Sequence, residues 1–181
     1  MVGLSRRMTI REIITVPNPL LKTISEPVKV IDDEVLSLID DMIETMYDAP
    51  GIGLAAIQVG VPKRILVIDI ARDDEARNPL SFINPEIIDP TETLNSFEEG
   101  CLSVPGVWEE IERPDECTVK YLDKDGVEQR VRCKGMLATV IQHEMDHLNG
   151  VVFVDHLSKL KRDRAIKKSI KSRTSETNNN E

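Results

Sequence analysis

The sequence from residue 135 to residue 150 reads Gly-Met-Leu-Ala-Thr-Val-Ile-Gln-His-Glu-Met-Asp-His-Leu-Asn-Gly, and it predicts the helix around which the fold is built. The run consists mostly of good helix formers, and a glycine, which breaks helices, stands at each end. Positions i and i+4 of a helix share one face, so His143 and His147 point in one direction, with Glu144 beside the first ring. This spacing indicates a metal ion held by two imidazoles, with a carboxylate placed to act as a general base.

The surroundings of the two histidines argue against a chance match on a solvated helix. The chain has 3 histidines, and two of them stand in this motif. The helix carries one stripe of mostly apolar residues on the same face as the histidines and a second apolar stripe on a different face. Imidazole rings buried beside apolar residues need hydrogen-bonding or metal partners. The first stripe is Met136, Thr139 and Val140, and the second is Leu137, Ile141 and Leu148. We therefore expect an apolar face against the core and a ligand face towards a cavity.

A third metal ligand must come from another part of the chain, and Cys101 is the best candidate. It follows Gly100, which lets the backbone approach a neighbour closely, and Pro105 is expected to end regular strand pairing after it. Cys117 and Cys133 stand in strand-like segments and are expected to be free, partly buried thiols. Two histidines and one cysteine leave a fourth position for water, which is typical of a catalytic rather than a structural site.

The segment Gly51-Ile52-Gly53-Leu54-Ala55-Ala56-Ile57-Gln58 supplies further candidate residues. A Gly-x-Gly pair indicates a dinucleotide site only after a strand and before a helix that opens on a third glycine. Here a helical run over residues 33–47 and then Pro50 precede the glycines, which argues against a nucleotide. The glycines instead favour bare backbone beside a ligand, and Gln58 offers an amide donor. Without the other two motifs, Gln58 would be interpreted as an exposed edge residue.

Together these segments resemble the three signature motifs of the peptide deformylases, in the family's order. The resemblance extends over about residues 11–155 and is greatest to the bacterial type 1 enzymes. It implies hydrolysis of the N-formyl group from the formyl-methionine of nascent polypeptides, with release of formate. It also implies the following roles: Cys101, His143 and His147 bind a divalent metal, Glu144 is the general base and acid, and Gln58 with the Leu102 backbone N–H stabilises the oxyanion.

The ligand chemistry narrows the choice of metal. A thiolate is a soft ligand and adds negative charge, which favours iron or zinc over magnesium or calcium but does not choose between the first two. The family resemblance implies Fe²⁺ in the cell, with Zn²⁺, Ni²⁺ or Co²⁺ in a purified sample.

The face of His143 also predicts a substrate pocket. Met136, Thr139 and Val140 share that face and are expected to form one wall beside the metal. Phe97, just before the cysteine segment, is a candidate for another wall. A narrow apolar pocket of this kind suits an unbranched thioether side chain such as methionine.

The peptide backbone is expected to lie extended along Ile52, Gly53 and Gly100 as an added strand. Near the expected position of the downstream end of the peptide, the sequence of this chain differs from the family pattern. Many members carry a basic residue soon after the Cys-Leu-Ser-x-Pro segment, where this chain has Gly106-Val107-Trp108-Glu109-Glu110.

Length and charge predict one catalytic domain followed by a basic helix. The chain has 181 residues and a formal charge of −9, yet from Lys159 to Arg173 eight basic residues stand against Asp163 alone. We expect a catalytic domain over residues 1–157, a helix over residues 158–173 and a polar, disordered tail over residues 174–181. The helix is interpreted either as solvated or as an arm that contacts RNA near the ribosomal exit.

The N-terminal residues and the cysteines bear on localisation. The first ten residues have no apolar run long enough for a signal peptide or a membrane span, and Met8 is an alternative start to Met1. An odd number of cysteines, one of them needed as a thiolate, suits a reducing compartment. These features favour the cytoplasm, and the family resemblance implies a bacterial one. We also expect a monomer that binds neither membrane nor DNA.

The order of predicted elements favours an α+β fold, with antiparallel or mixed sheets around the metal-bearing helix and a C-terminal helix. A helix over residues 33–47 and a buried strand over residues 64–70 come first. Residues 118–122 and 127–133 then flank Asp-Lys-Asp-Gly at 123–126, a strong hairpin signal. Other extended segments are expected at residues 82–88, 93–98 and 107–112.

Two other interpretations stay open. An ordinary His-Glu-x-x-His metallopeptidase shares the helix but usually takes its third ligand downstream, as His or Glu. The downstream candidates are Asp155, His156, Glu176 and Glu181, although His156 is more simply read as structural or exposed. A non-catalytic metal-binding module would leave Glu144 and Gln58 without a role.

Overall fold

The computed structural model describes residues 8–178. Residues 1–7 and 179–181 lie outside the described residues, and with them Met1, the first of the two candidate starts, and the end of the predicted tail. The helices and strands are α1 (Asp33–Asp48), β1 (Gly53–Ala55), β2 (Ile65–Ile68), β3 (Leu80–Ile88), β4 (Leu94–Cys101), β5 (Val104–Pro114), β6 (Glu116–Leu122), β7 (Glu128–Lys134), α2 (Gly135–Leu148) and α3 (Lys159–Asn178). The predicted α+β class with a C-terminal helix is confirmed.

Five strands form one antiparallel sheet in the order β1-β2-β3-β6-β7, so β1 and β7 are its edges. Successive residues of a strand point to opposite faces. In β2, Ile65 and Val67 pack in the cluster that contains α1, whereas Leu66 and Ile68 pack in the cluster that contains α2. Because helices cover both faces, β2 is a continuous apolar run rather than an alternating one.

Helix α2 is buried on nearly all sides, since it contacts β1, β2, β5 and β7. Ile141 and Leu148 pack in the core with Leu137 against it, whereas Met136, Thr139, Val140 and His143 line a cleft, as the expected division into a core face and a ligand face requires. The helix ends before Gly150, whose φ is +74°. A Cβ at Gly150 would lie 2.4 Å from the carbonyl oxygen of Lys22, so only glycine fits this turn.

Strands β4 and β5 form a separate hairpin with Cys101 at its turn. Cys101 pairs with Val104 and Glu99 pairs with Glu109, so residues 105–108 bulge opposite a single residue of β4. Pro105 thus lies inside β5. Regular pairing does stop at Pro105, as expected, but it resumes at Glu109 because the bulge accommodates a residue that has no N–H to donate.

The hairpin signal at residues 123–126 is correctly placed, since it joins β6 to β7. Cys117 and Cys133 are opposite each other in this pair, and both are free thiols. They are completely buried rather than partly buried, because they belong to the core cluster beneath α2.

Helix α3 continues to Asn178, beyond the expected end at Arg173. The hydroxyls of Thr174, Ser175 and Thr177 each donate to the carbonyl oxygen four residues earlier, which satisfies these polar side chains within the helix. The helix packs against β5, with Ala165 and Ser169 buried. No helix within residues 8–178 has both the length and the apolar character needed to cross a membrane.

Candidate metal centre and active site

Three side chains from two elements converge where α2 meets the β4–β5 turn. Helix α2 presents His143 and His147 one turn apart, and the turn brings Cys101 against them. One ligand atom of each residue lies within 4.8 Å of the others, and Cys101 Sγ is 3.3 Å from His147 Nε2. Within residues 8–178 this is the one cluster of His, Cys, Asp and Glu side chains found close enough to hold a metal. One sulfur and two imidazole nitrogens are a donor set that iron or zinc accepts.

A buried ion pair orients the first histidine. Glu99 Oε1 lies 2.8 Å from His143 Nδ1, which leaves Nε2 of that ring free for a metal. Arg113 donates to both oxygens of Glu99, at 2.7 and 2.9 Å, and to Asp146 at 2.9 Å. Burial raises the pKa of Glu99, but the hydrogen bonds from His143 and Arg113 outweigh it and hold that pKa below its ordinary value. Partners of this kind fix the orientation and tautomer of a metal-binding histidine.

Sequence reasoning missed the roles of Glu99, Arg113 and Asp146. Glu99 stands two residues before Cys101 and Asp146 directly before His147, so their closeness to the predicted ligands was a usable signal. No local signal in the sequence marks Arg113, because this residue reaches Glu99 and Asp146 only through the pairing of β4 with β5. The side chain of His156 is 41% exposed and lies 2.7 Å from Asp146, which agrees with a structural, exposed residue.

The two imidazoles differ in their protonation. Burial lowers the pKa of His143, but its contacts with Cys101 and Glu99 outweigh burial and leave that pKa well above the ordinary value. Burial, and then the charge on His143, hold the pKa of His147 well below the ordinary value. A metal displaces protons from such ligands, so binding is expected to weaken as the pH falls.

Glu144 stands beside the cluster without being part of it. Its Oε1 lies 4.0 Å from His143 Nε2, and its buried Oε2 has no hydrogen-bond partner among the described residues. Burial raises the pKa of Glu144 to about 7. Gly53 of β1 passes so close that a Cβ there would lie 2.6 Å from Glu144 Oε1. A carboxyl group with a pKa near neutrality is suited to both accepting and returning a proton.

Gln58 is buried rather than at an exposed edge, with 1% of its surface accessible. Its Oε1 accepts from the Ala55 N–H at 2.9 Å, which fixes the amide. Its Nε2 then donates to Ser103 Oγ at 3.1 Å and approaches Cys101 Sγ at 3.6 Å. The amide N–H groups therefore point towards the cluster.

A cleft of about 640 Å³ leads to the cluster. All seven residues expected to bind substrate line it, namely Ile52, Gly53, Phe97, Gly100, Met136, Thr139 and Val140. Gln58, Cys101, Leu102, His143 and Glu144 line it as well. His147 is completely buried behind them.

The downstream ligands of an ordinary metallopeptidase are not gathered here. Asp155 forms an ion pair with Lys22, and His156 is turned towards Asp146. Glu176 lines the cleft but is outside the cluster, and Glu181 lies beyond the described residues. The third side chain beside the two histidines is instead Cys101, which comes before them in the chain.

This combination of an α+β domain, a three-ligand centre and an adjacent carboxylate places the chain among the metal-dependent hydrolases. The model of the polypeptide deformylase family matches residues 10–163. The chain belongs to the polypeptide deformylase family, as its three motifs predict.

Individual relatives agree with this assignment. Over 161 residues the chain is 59% identical to the peptide deformylase of Maricaulis maris (strain MCS10), covering 89% of this chain and 92% of that protein. The crystal structure of peptide deformylase from Ehrlichia chaffeensis has a TM-score of 0.89 at 43% identity, covering 93% of this chain and 99% of that chain. The Ehrlichia chaffeensis structure in complex with actinonin has a TM-score of 0.87 at 46% identity, covering 91% and 98%.

Proposed function

We propose that Glu144 acts as the general base and acid in deformylation of N-formyl-methionyl peptides, beside a metal held by Cys101, His143 and His147. The observation that carries this proposal is the buried, unpartnered carboxylate oxygen of Glu144 next to the ligand cluster at the cleft. Burying a carboxyl oxygen without a hydrogen-bond partner costs free energy. Groups with such perturbed environments are concentrated at functional sites, which supports a catalytic role.

A divalent ion at this centre supplies Lewis acidity for amide hydrolysis. We propose Fe²⁺ in the cell, with Zn²⁺, Ni²⁺ or Co²⁺ able to replace it in purified protein. The soft thiolate of Cys101 supports iron or zinc over magnesium or calcium.

The residues of the chain account for the proton transfers and for the oxyanion. Glu144 takes a proton from the attacking water and returns it to the leaving amine, so one carboxylate serves both steps. Gln58 Nε2 and the Leu102 backbone N–H donate to the oxygen on which negative charge develops. One such donor is worth about 3 to 4 kcal/mol in the transition state.

The peptide is proposed to add a strand at the edge of the main sheet. β1 is an edge strand, and Ile52, just before it, is 47% exposed. An extended peptide along Ile52, Gly53 and Gly100 gains main-chain hydrogen bonds and directs its first side chain between Phe97 and the α2 wall.

Val140→Leu is expected to lower the preference for formyl-methionyl over formyl-alanyl peptides about tenfold, because one added methylene narrows the pocket for a long side chain only. The measurement is the ratio of kcat/KM for the two peptides. Ile141→Leu, a volume-conserving change at a buried position that does not line the cleft, is the matched control. If the Val140 variant kept the parent's ratio, the α2 wall would be misplaced.

A direct test of the proposed function is formate release by anaerobically iron-loaded protein given formyl-methionyl-alanyl-serine. An internal peptide bond in an unformylated peptide serves as the second substrate. We expect formate and no internal cleavage. Internal cleavage without formate would instead support an ordinary metallopeptidase.

We also propose that α3 contacts ribosomal RNA, and that the chain works as a monomer in the bacterial cytoplasm, where formylated peptides are made. In this proposal residues 1–157 carry the catalytic groups and α3 is the arm. Lys168 and Lys171 are exposed, while the opposite side of the helix packs on β5. Exposed cations along one side of a helix suit a phosphate backbone.

Replacing Lys168 and Lys171 with glutamine is expected to weaken co-sedimentation with ribosomes at low salt and to reduce its salt dependence. The matched control replaces Lys29 and Lys63, which removes the same charge elsewhere on the surface. Equal co-sedimentation of the two variants would count against the arm.

A further inference from the structure

A short segment joins α1 to β1 and forms one side of the cleft. Residues 49–53 all line the cleft, and the path proposed for the peptide runs along the last two of them. The N–H of Gly51 donates to the carbonyl oxygen of Met46, in the last turn of α1, at 2.7 Å. The N–H of Asp69, directly after β2, donates to the carbonyl oxygen of Ile52 at 3.0 Å. The position of this segment therefore depends on how the end of α1 is held against the end of β2.

The buried side chain of Asp69 holds these two ends together. Its Oδ2 accepts from the hydroxyl of Tyr47, in the last turn of α1, and from the N–H of Asn78 at 2.8 Å. Its Oδ1 accepts from the N–H of Ala71 at 2.8 Å. One carboxylate thus binds the end of α1 and both ends of the loop that joins β2 to β3, residues 69–79.

The contact between Tyr47 and Asp69 keeps one protonation state near neutral pH. Burial raises the pKa of Asp69, but the hydrogen bonds from Tyr47, Ala71 and Asn78 outweigh it and hold that pKa below its ordinary value. Burial, and then the hydrogen bond to Asp69, raise the pKa of Tyr47 to about 12. Asp69 is therefore an anionic acceptor and Tyr47 a neutral donor. The guanidinium carbon of Arg77 lies 4.1 Å from the centre of the Tyr47 ring, which packs the same loop on this tyrosine.

We propose that Asp69 is a positioning residue for substrate binding, which holds Ile52 and Gly53 in the extended conformation that pairs with the peptide backbone. Neither Asp69 nor Tyr47 lines the cleft, so both act through the segment between α1 and β1. The proposal rests on the deformylase function above and adds to it the residues that set the affinity for the peptide backbone. A longer formylated peptide uses this edge, whereas formyl-methioninamide has no further residues to pair with it.

The test compares formyl-methionyl-alanyl-serine with formyl-methioninamide as substrates of the metal-loaded enzyme. In Asp69→Asn an NH₂ group replaces one carboxylate oxygen and faces an N–H or O–H donor, so the three hydrogen bonds cannot all form. We expect kcat/KM for the longer peptide to fall roughly three- to tenfold relative to that for the amide, the size of about one lost hydrogen bond. The change should appear in KM, and metal content should stay the same.

A second variant and two controls assign the effect to this contact. Tyr47→Phe removes the hydroxyl alone and should shift the ratio in the same direction by a smaller factor. Tyr121→Phe is its matched control, at the other tyrosine of the chain, which packs against the core and does not line the cleft. Asp123→Asn is the control for Asp69→Asn, because Asp123 also accepts backbone N–H groups in a loop and does not line the cleft. Both controls should keep the parent's ratio.

The outcomes separate a positioning role from a merely structural one. A general loss of stability lowers kcat/KM for both substrates equally, so an unchanged ratio in Asp69→Asn and Tyr47→Phe would overturn the proposal. A fall confined to kcat would overturn it as well, because it would indicate displacement of Glu144 rather than weaker peptide binding. A parent enzyme that releases formate from neither substrate contradicts the deformylase function itself.

Discussion

Glu144→Ala is expected to lower kcat for deformylation about a thousandfold while the protein keeps its metal. General acid and base catalysis is typically worth about 10²- to 10⁴-fold, and in this account one carboxylate serves both steps. Glu144 lies outside the three-ligand cluster, so its loss leaves Cys101, His143 and His147 in place. The measurement is formate release per bound metal, with the metal-to-protein ratio determined on the same sample.

Cys101→Ala provides the contrast, because it should lose metal and turnover together. Glu34→Ala, at an exposed glutamate in the first turn of α1, controls for purification and loading. If metal analysis found no metal in Glu144→Ala and full metal occupancy in Cys101→Ala, the roles assigned to the two residues would be reversed.

Gly53→Ala is expected to lower kcat about a hundredfold without loss of metal. The added methyl group would lie 2.6 Å from Glu144 Oε1 and 3.0 Å from its Cγ and Cδ. The side chain of Glu144 must therefore move, and displacement of a catalytic group by about 1 Å costs roughly 10²-fold in rate. The measurement is kcat and KM for a formyl-methionyl peptide at full metal occupancy.

The double variant shows whether Gly53 acts through Glu144. In a Glu144→Ala background, Gly53→Ala should cost little more, because the group that it displaces is already gone. A further hundredfold loss in that background, or a change confined to KM, would indicate that Gly53 acts on the peptide backbone instead.

The parts of the site that lie on one helix follow from local spacing. Helical periodicity places His143, His147 and Glu144 on neighbouring positions, and it also puts Met136 and Val140 along the cleft. The strong turn signal at residues 123–126 fixes one hairpin in the same way. These predictions need only contacts between residues close in sequence.

The network behind the ligands does not follow from local spacing. Arg113 reaches Glu99 and Asp146 across 14 and 33 residues of sequence, so the contacts depend on how β4, β5 and α2 meet. A buried arginine has no periodic pattern of its own. The bulge at Pro105 escapes prediction for a similar reason, since it depends on the register between two strands.

The end of α3 illustrates a competition between local preferences. Thr174, Ser175 and Thr177 have low helix propensity, which predicts a tail. Their hydroxyls instead bond to carbonyl groups one turn back, and Ala165 and Ser169 anchor the helix on β5. Local hydrogen bonds thus accompany the helical end at residues 174–178, where the side chains are exposed, while packing on β5 holds the helix further back.

The most direct test of the central claim is X-ray absorption spectroscopy of the enzyme loaded with one metal per chain, zinc for stability in air and iron under anaerobic conditions. The account predicts one sulfur ligand and two imidazole nitrogens, with a light oxygen or nitrogen ligand at the remaining position. For zinc, the expected distances are about 2.3 Å to sulfur and about 2.0 to 2.1 Å to nitrogen. In Cys101→Ser the sulfur contribution should disappear. A spectrum without sulfur in the parent protein, or one that keeps its sulfur in Cys101→Ser, would contradict the assigned metal centre.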